Sequence, residues 1–208
     1  MKNKRLVIFT VFALGVSGHS LAKDKKAIEI APANKAPLLN GNCNDDVWRP
    51  ATTIALPANV YILLMHDDDY FYICVRSKAD DINVLDLYVE SDEVKVPFKY
   101  HLSAQMGERK LTENGWENTS QKWELKDYAG FWVPYSGLED PENRKNPKFA
   151  RGTHRQVQIA RKKFPGTIWN MMFGVSGIKH EDEWAAFVHP ERAAEDDRTT
   201  WERFTFSE

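Results

Sequence analysis

Residues 59–76 read NVYILLMHDDDYFYICVR, and this stretch decides the fold. Two runs rich in β-branched and aromatic residues, Asn59 to Met65 and Tyr70 to Arg76, flank the polar connection His66-Asp67-Asp68-Asp69. Such side chains favour extended backbone and the acidic residues favour a turn, so the stretch predicts a β-hairpin. In the second arm Phe71, Ile73 and Val75 share one face while Tyr70, Tyr72, Cys74 and Arg76 share the other, as a two-residue period requires.

Towards the C-terminus the same period returns. Val84 to Glu90 sets Leu85, Leu87 and Val89 against Asp86, Tyr88 and Glu90, and Pro97 to Met106 sets Phe98, Tyr100, Leu102 and Ala104 against Lys99, His101, Ser103 and Gln105. Gln156 to Ala160 and Thr167 to Val175 read as two further strands across a break at Phe164-Pro165-Gly166. Gly107 to Gly152 is the least regular part, with a long surface loop expected at Glu139 to Arg151. His180 to Arg198 carries the only helix expectation, one or two short helices, and Thr200 to Phe206 closes the chain. Many short strands at near-regular spacing predict an all-β fold, an antiparallel β-sandwich.

Towards the N-terminus, Lys2, Lys4 and Arg5 precede an apolar run from Leu6 to Val16 and the small-x-small site Ser20-Leu21-Ala22. This is the pattern of an export signal over residues 1–22, cleaved after Ala22, and it places the mature chain in a periplasm or outside the cell. The run is about half of the roughly 20 apolar residues that a membrane-spanning helix needs, so no membrane span is expected. Residues 23–37, rich in Lys, Ala and Pro, read as an extended N-terminal arm in which Ile28 and Ile30 alternate as an edge strand. A single domain is expected over 38–208.

Removing the three basic residues of the signal leaves 28 − 3 = 25 Lys plus Arg against 30 Asp plus Glu. That acidic balance argues against a nucleic-acid partner. Both cysteines, Cys43 and Cys74, lie in the mature part, and two thiols in an oxidising compartment predict one disulfide. The alternative is two small, buried, apolar side chains.

One set of ordered motifs resembles a known family. Leu39-Asn40-Gly41-x-Cys43-x-Asp45-Asp46-x-Trp48 comes first, and then the hairpin ending in Tyr70-Phe71-Tyr72-Ile73. Asp80-Asp81, Asp86-x-Tyr88-Val89 and Gln158-Ile159-Ala160-x-x-x-Phe164-Pro165-Gly166 with Ile168-Trp169-Asn170-Met171 follow. The chain resembles the family 9 carbohydrate-binding modules and the wider DOMON-like β-sandwiches, from about Leu38 to Phe206. The resemblance implies a jelly-roll-like sandwich and, among its members, sugar-binding modules and haem-binding domains. The chain departs from the sugar-binding members at Gln156 and Gln158, where they often have an acidic residue.

A sugar offers an apolar C–H face and a fringe of hydroxyls, so its site needs exposed aromatic planes with polar groups at their edges. Trp116, Trp123, Trp132 and Tyr135, with Gln121, Glu124 and Arg151 near them, meet that requirement in loop-like sequence. The competing reading is that these rings pin long connections onto the sandwich. The expected function is therefore non-catalytic binding of a polysaccharide or oligosaccharide, with a haem or redox carrier, or a cell-surface interaction protein, as the alternatives.

Asp86, Tyr88 and Glu90 beside His101, Ser103 and Gln105 read first as a solvated outer face and second as the wall of a groove. Asp67-Asp68-Asp69 and Asp45-Asp46 are the places to look for Ca²⁺, although neither has EF-hand spacing. Met65, His66, His101, His154, Met171 and Met172 are the available axial ligands for a haem, with no spacing that pairs them. No resident cofactor is expected. Arg144, Lys145, Lys148, Arg151, His154 and Arg155, with Arg161, Lys162 and Lys163, read first as solvated loop charge and second as a surface for an acidic polysaccharide or a phosphate-bearing partner. No nucleophile elbow, zincin or phosphate-loop motif occurs, so an enzyme is not expected, although paired carboxylates of a glycoside hydrolase leave no sequence signature.

Overall fold

The computed structural model describes residues 26–103, 106–119, 129–132 and 154–206. Its strands are β1 (Ile28–Pro32), β2 (Thr52–Leu56), β3 (Val60–His66), β4 (Tyr70–Arg76), β5 (Val84–Ser91), β6 (Phe98–Leu102) and β7 (Met106–Thr112). β8 (Gly115–Asn118), β9 (Ala129–Trp132), β10 (Arg155–Ala160), β11 (Ile168–His180), β12 (Glu183–His189) and β13 (Glu202–Phe206) complete them. The all-β expectation holds. The only helical pieces among the described residues are three-residue 3₁₀ turns, as at Arg198–Thr200.

The hairpin of residues 59–76 forms as expected, and its register sets Leu64 opposite Ile73 and His66 opposite Phe71. Asp67 closes it. Its carboxylate accepts the backbone N–H groups of Asp69 and Tyr70 at 3.0 and 2.7 Å and the Tyr72 hydroxyl at 2.6 Å.

Strand order runs β8-β7-β6-β5-β11-β13-β1-β3-β4-β10-β9, with β12 on β11 and β2 on β3. One layer is β8-β7-β6-β5-β11-β13 and the other is β3-β4-β10-β9. Phe71 from β4 meets Trp169 from β11 edge-on at 5.5 Å between the layers, and Trp169 meets Phe206 at 4.7 Å. Around them Ile62, Leu64, Ile73, Val75, Leu85, Leu87, Val89, Val157 and Ile159 are sealed from solvent. Each such side chain contributes about 1.5 to 3 kcal/mol by leaving water.

Three expectations are corrected. Ile28 and Ile30 do not form an edge strand on an arm outside the domain: β1 lies between β13 and β3, parallel to both, so the sheet is mixed and not wholly antiparallel. Burial of Ile30 opposite Phe206 drives this placement. His180 to Arg198 is not helical but holds β12, because Glu181 and Asp182, both at positive φ, form a tight reversal that returns the chain along β11. The basic residues His154, Arg155, Arg161 and Lys163 are not solvated loop charge. Arg155 is buried, donating to the carbonyls of Asn83, Ser103 and Ile82, and Lys163 is paired with Glu108 under the rings of Phe98 and Tyr100.

Cys43 and Cys74 form the expected disulfide, with Cα atoms 5.8 Å apart. The bond anchors residues 39–48 over the outer face of β3 and β4, where Trp48, Leu63, Met65 and Tyr72 make a second apolar cluster. His154 completes the anchor: its Nδ1 accepts the Cys43 N–H at 2.9 Å, and Gln156 Oε1 accepts the Gly41 N–H at 2.7 Å.

Candidate functional site

The outer face of the β8-to-β12 layer is organised in cross-strand rows. One row reads Gly107, His101, Asp86, Gly174 and Val188 across β7, β6, β5, β11 and β12. The row beside it reads Arg109, Lys99, Tyr88 and Met172. The two-residue period that buries Leu85, Leu87, Tyr100 and Leu102 on the inner face places these polar side chains outside.

The second row is walled by residues 190–201. Trp201 packs on Tyr88 with ring centroids 5.9 Å apart, and Glu90 accepts from Arg198 at 2.8 Å. Tyr88 donates its hydroxyl to Glu195 at 2.5 Å, and Lys99 donates to the same carboxylate oxygen at 2.9 Å. Burial, and then this bond, pushes the Tyr88 phenol above its ordinary range; the Tyr88 bond, and then Lys99, holds Glu195 below the usual carboxylate range. The expected solvated face is thus half covered: Tyr88 and Glu90 are buried, while His101 and Asp86 stay accessible.

Next to that wall lies a groove of about 210 Å³ lined by Lys99, His101, Gly107 and Arg109. His101 Nδ1 lies 2.8 Å from Asp86 Oδ1, and a carboxylate only accepts, so Nδ1 carries the proton and Nε2 points elsewhere. Gly107 and Gly174 flank this pair in its row. A Cβ on Gly174 would stand 3.6 Å from that of Asp86, and a longer side chain there would begin to roof the carboxylate.

A second hollow, about 410 Å³, opens where β11 turns into β12. Lys78, Lys179, Glu181, Asp182, Glu183 and Trp184 line it. Trp184 is 57 % exposed, the most exposed of the large apolar side chains among the described residues. Lys179, its cross-strand neighbour, rests its ammonium 5.6 Å from the ring centre and bonds Asp80 at 2.8 Å. That bond lifts the Lys179 pKa above its ordinary range and lowers that of Asp80.

Of the residues expected to hold a sugar, Trp116 is on β8, half-buried, with its ring edge-on to Tyr88 at 5.7 Å. Trp132 is on β9, at the register position opposite Gln156 and in the other layer. Trp123, Tyr135, Gln121, Glu124 and Arg151 lie outside the described residues. Trp184 was read as part of a helix. The alternation of Trp184, Ala186 and Val188 on one face was the signal that marks it as an exposed position on a strand.

The acidic turns are occupied by their own loops. Asp67 caps the hairpin, and Asp45 accepts the side-chain amides of Asn40 and Asn42 at 2.6 and 2.5 Å. Among the described residues no three His, Cys, Asp or Glu side chains gather as metal ligands. Met65 and Met171 are sealed in different clusters and His154 is bound to Cys43, so these potential axial ligands do not converge on one cavity. No helix among the described residues is long and apolar enough to cross a membrane.

No family model, curated protein or solved structure matches the chain.

Proposed function

We propose that the protein is an exported, non-catalytic carbohydrate-binding domain of the DOMON-like kind that receives a sugar ring on Trp184. The observation that carries this reading is the exposed indole at the rim of a hollow whose other walls are charged. An indole face stacks on the C–H face of a pyranose. Lys78 and Lys179 offer donors to the hydroxyl fringe, and Glu181, Asp182 and Glu183 offer acceptors, the mixture that a ring of hydroxyls needs. Trp123, Trp132 and Tyr135, with Gln121, Glu124 and Arg151, are the second aromatic set that the sequence offers, and Trp116 supports Tyr88 instead of presenting a free plane.

The test is a glycan array probed with the protein after removal of residues 1–22, alongside Trp184→Ala, Trp123→Ala and Trp132→Ala. Binding that Trp184→Ala weakens at least tenfold supports the assignment. Binding unchanged in Trp184→Ala but lost in the other two moves the platform to the second set, and no binding to any glycan overturns the function.

A further inference from the structure

The border of the sheet at β12 is built to be paired. Among the described residues β12 pairs with β11 alone, along Glu183–His189, and it lies at the end of its layer remote from β8. Every second residue of such a strand points its N–H and C=O away from its one neighbour. No hydrogen bond among the described residues occupies the outward groups of 183–188. Folded proteins guard an open border with Lys, Pro, a bulge or a very short strand. β12 is seven residues long, Glu-Trp-Ala-Ala-Phe-Val-His, with no Lys, Arg or Pro, and the irregularity between Ser176 and Ile178 falls in β11.

The strand is also its own complement. Phe187 packs inward against the core, whereas Trp184, Ala186 and Val188 alternate on the outer face, with Trp184 57 % and Val188 38 % exposed. An antiparallel pair about a two-fold axis at Ala186 sets Trp184 opposite Val188 of a second copy and Ala185 opposite Phe187, larger against smaller each time. The axis, where identical side chains must meet, then falls on the small Ala186. Glu183 comes opposite His189, a carboxylate against an imidazole, so the two Glu183 side chains never meet. The outer row of Asp86, Gly174 and Val188 continues into Trp184 and Lys179 of the second copy, and Gly174 leaves room for the indole to lean across Val188. Moving the axis to Ala185 or Phe187 shortens the ladder and sets Trp184 against Ala186 or past the strand end.

We propose that β12 is the self-association surface of this protein: two copies pair their β12 strands antiparallel about Ala186 and join their β8-to-β12 layers into one continuous sheet. The same patch serves both partners, so the contact closes at two copies and does not propagate. Main-chain hydrogen bonds supply the attraction, and the fit of Trp184 against Val188 fixes the register. The pairing draws on the open backbone of the border and goes beyond the sugar reading, which concerns the ring of Trp184 alone.

The experiment is sedimentation of the purified protein over a range of concentrations, beside Ala186→Lys and Ala186→Cys. Ala186 is exposed, so both variants are expected to fold, which an unchanged Tm checks. Two lysines meeting at the axis are expected to raise the Kd of the dimer at least about tenfold. Directly opposed Cβ atoms lie about 4.5 to 5.5 Å apart in an antiparallel pair, near the distance a disulfide spans. Cys43 and Cys74 are already bonded to each other, so a covalent dimer of oxidised Ala186→Cys reports this contact, with Glu191→Cys, at an open position off the strand, as its comparison. A concentration-dependent dimer that Ala186→Lys weakens and Ala186→Cys traps supports the proposal. A monomer at every concentration up to about 1 mM, a dimer indifferent to Ala186→Lys, or equal trapping by Glu191→Cys overturns it. Mass and cross-link report the pairing while the glycan array reports sugar binding, so either can fail without the other.

Discussion

Lowering the pH from about 7 to about 4 tests the anchor formed by His154. Burial, and then the nearby Arg76 guanidinium, lowers the imidazole from its ordinary 6.5 to about 4, and its Nδ1 must stay unprotonated to accept the Cys43 N–H. The unfolded chain takes up the proton first as pH falls, so the stabilisation is complete above about pH 6.5 and is lost progressively down to about pH 4. A fall of about 2.5 in pKa, at about 1.36 kcal/mol per pH unit, amounts to about 3 kcal/mol. The assay is urea unfolding across that range for the native protein and for His154→Asn, whose Oδ1 can accept the same N–H without titrating. Carboxylates and His66, which burial also lowers, act in both proteins and cancel in the difference. The gap between the two stability curves is expected to shift by about 3 kcal/mol against the native protein on acidification. Parallel curves would refute the reasoning.

Replacing Arg155 with Ala strands the carbonyls of Asn83, Ser103 and Ile82 and is expected to cost at least about 3 kcal/mol by urea unfolding, with Arg155→Lys recovering only part, because one ammonium cannot span all three acceptors. Removing both cysteines as Cys43→Ala and Cys74→Ala should lower stability by roughly 3 to 4 kcal/mol, seen as a lower Tm, from the loop entropy of a 31-residue separation. Gly177 sits at φ +69° with the Ile82 Cβ 2.9 Å from where its own would be, so Gly177→Ala should cost on the order of 1 to 3 kcal/mol in the same assay. Trp184→Ala, on an exposed ring, should change stability by no more than about 0.5 kcal/mol, which makes it a clean variant for binding.

The hairpin of residues 59–76 was legible because both of its signals are local, alternating side chains on the arms and an acidic turn between them. In the fold, burial fixes the register: slipping β4 by one residue would turn Phe71, Ile73 and Val75 together out of the core between the layers. The placement of β1 was hidden because its partners, Phe204 and Phe206, lie at the other end of the sequence. β12 was hidden by Ala185 and Ala186, which suit a helix, while the left-handed backbone of Glu181 and Asp182 that decides the matter has no unambiguous sequence mark. The polar row of His101 and Asp86 was readable strand by strand. Its walls were not, since Glu195 is about a hundred residues away and the two flanking glycines gain meaning only once β7 and β11 are side by side.

The seating of β1 has a bearing on how the molecule is made. Ile28–Pro32 is translated early, yet one of the two neighbours of that strand, β13, follows it only after all the other strands. The strand order joins the two layers through β1, so the seam between them stays open until Glu202–Phe206 pairs with it. β1 and β13 act together as the clasp, and the later of the two fastens it.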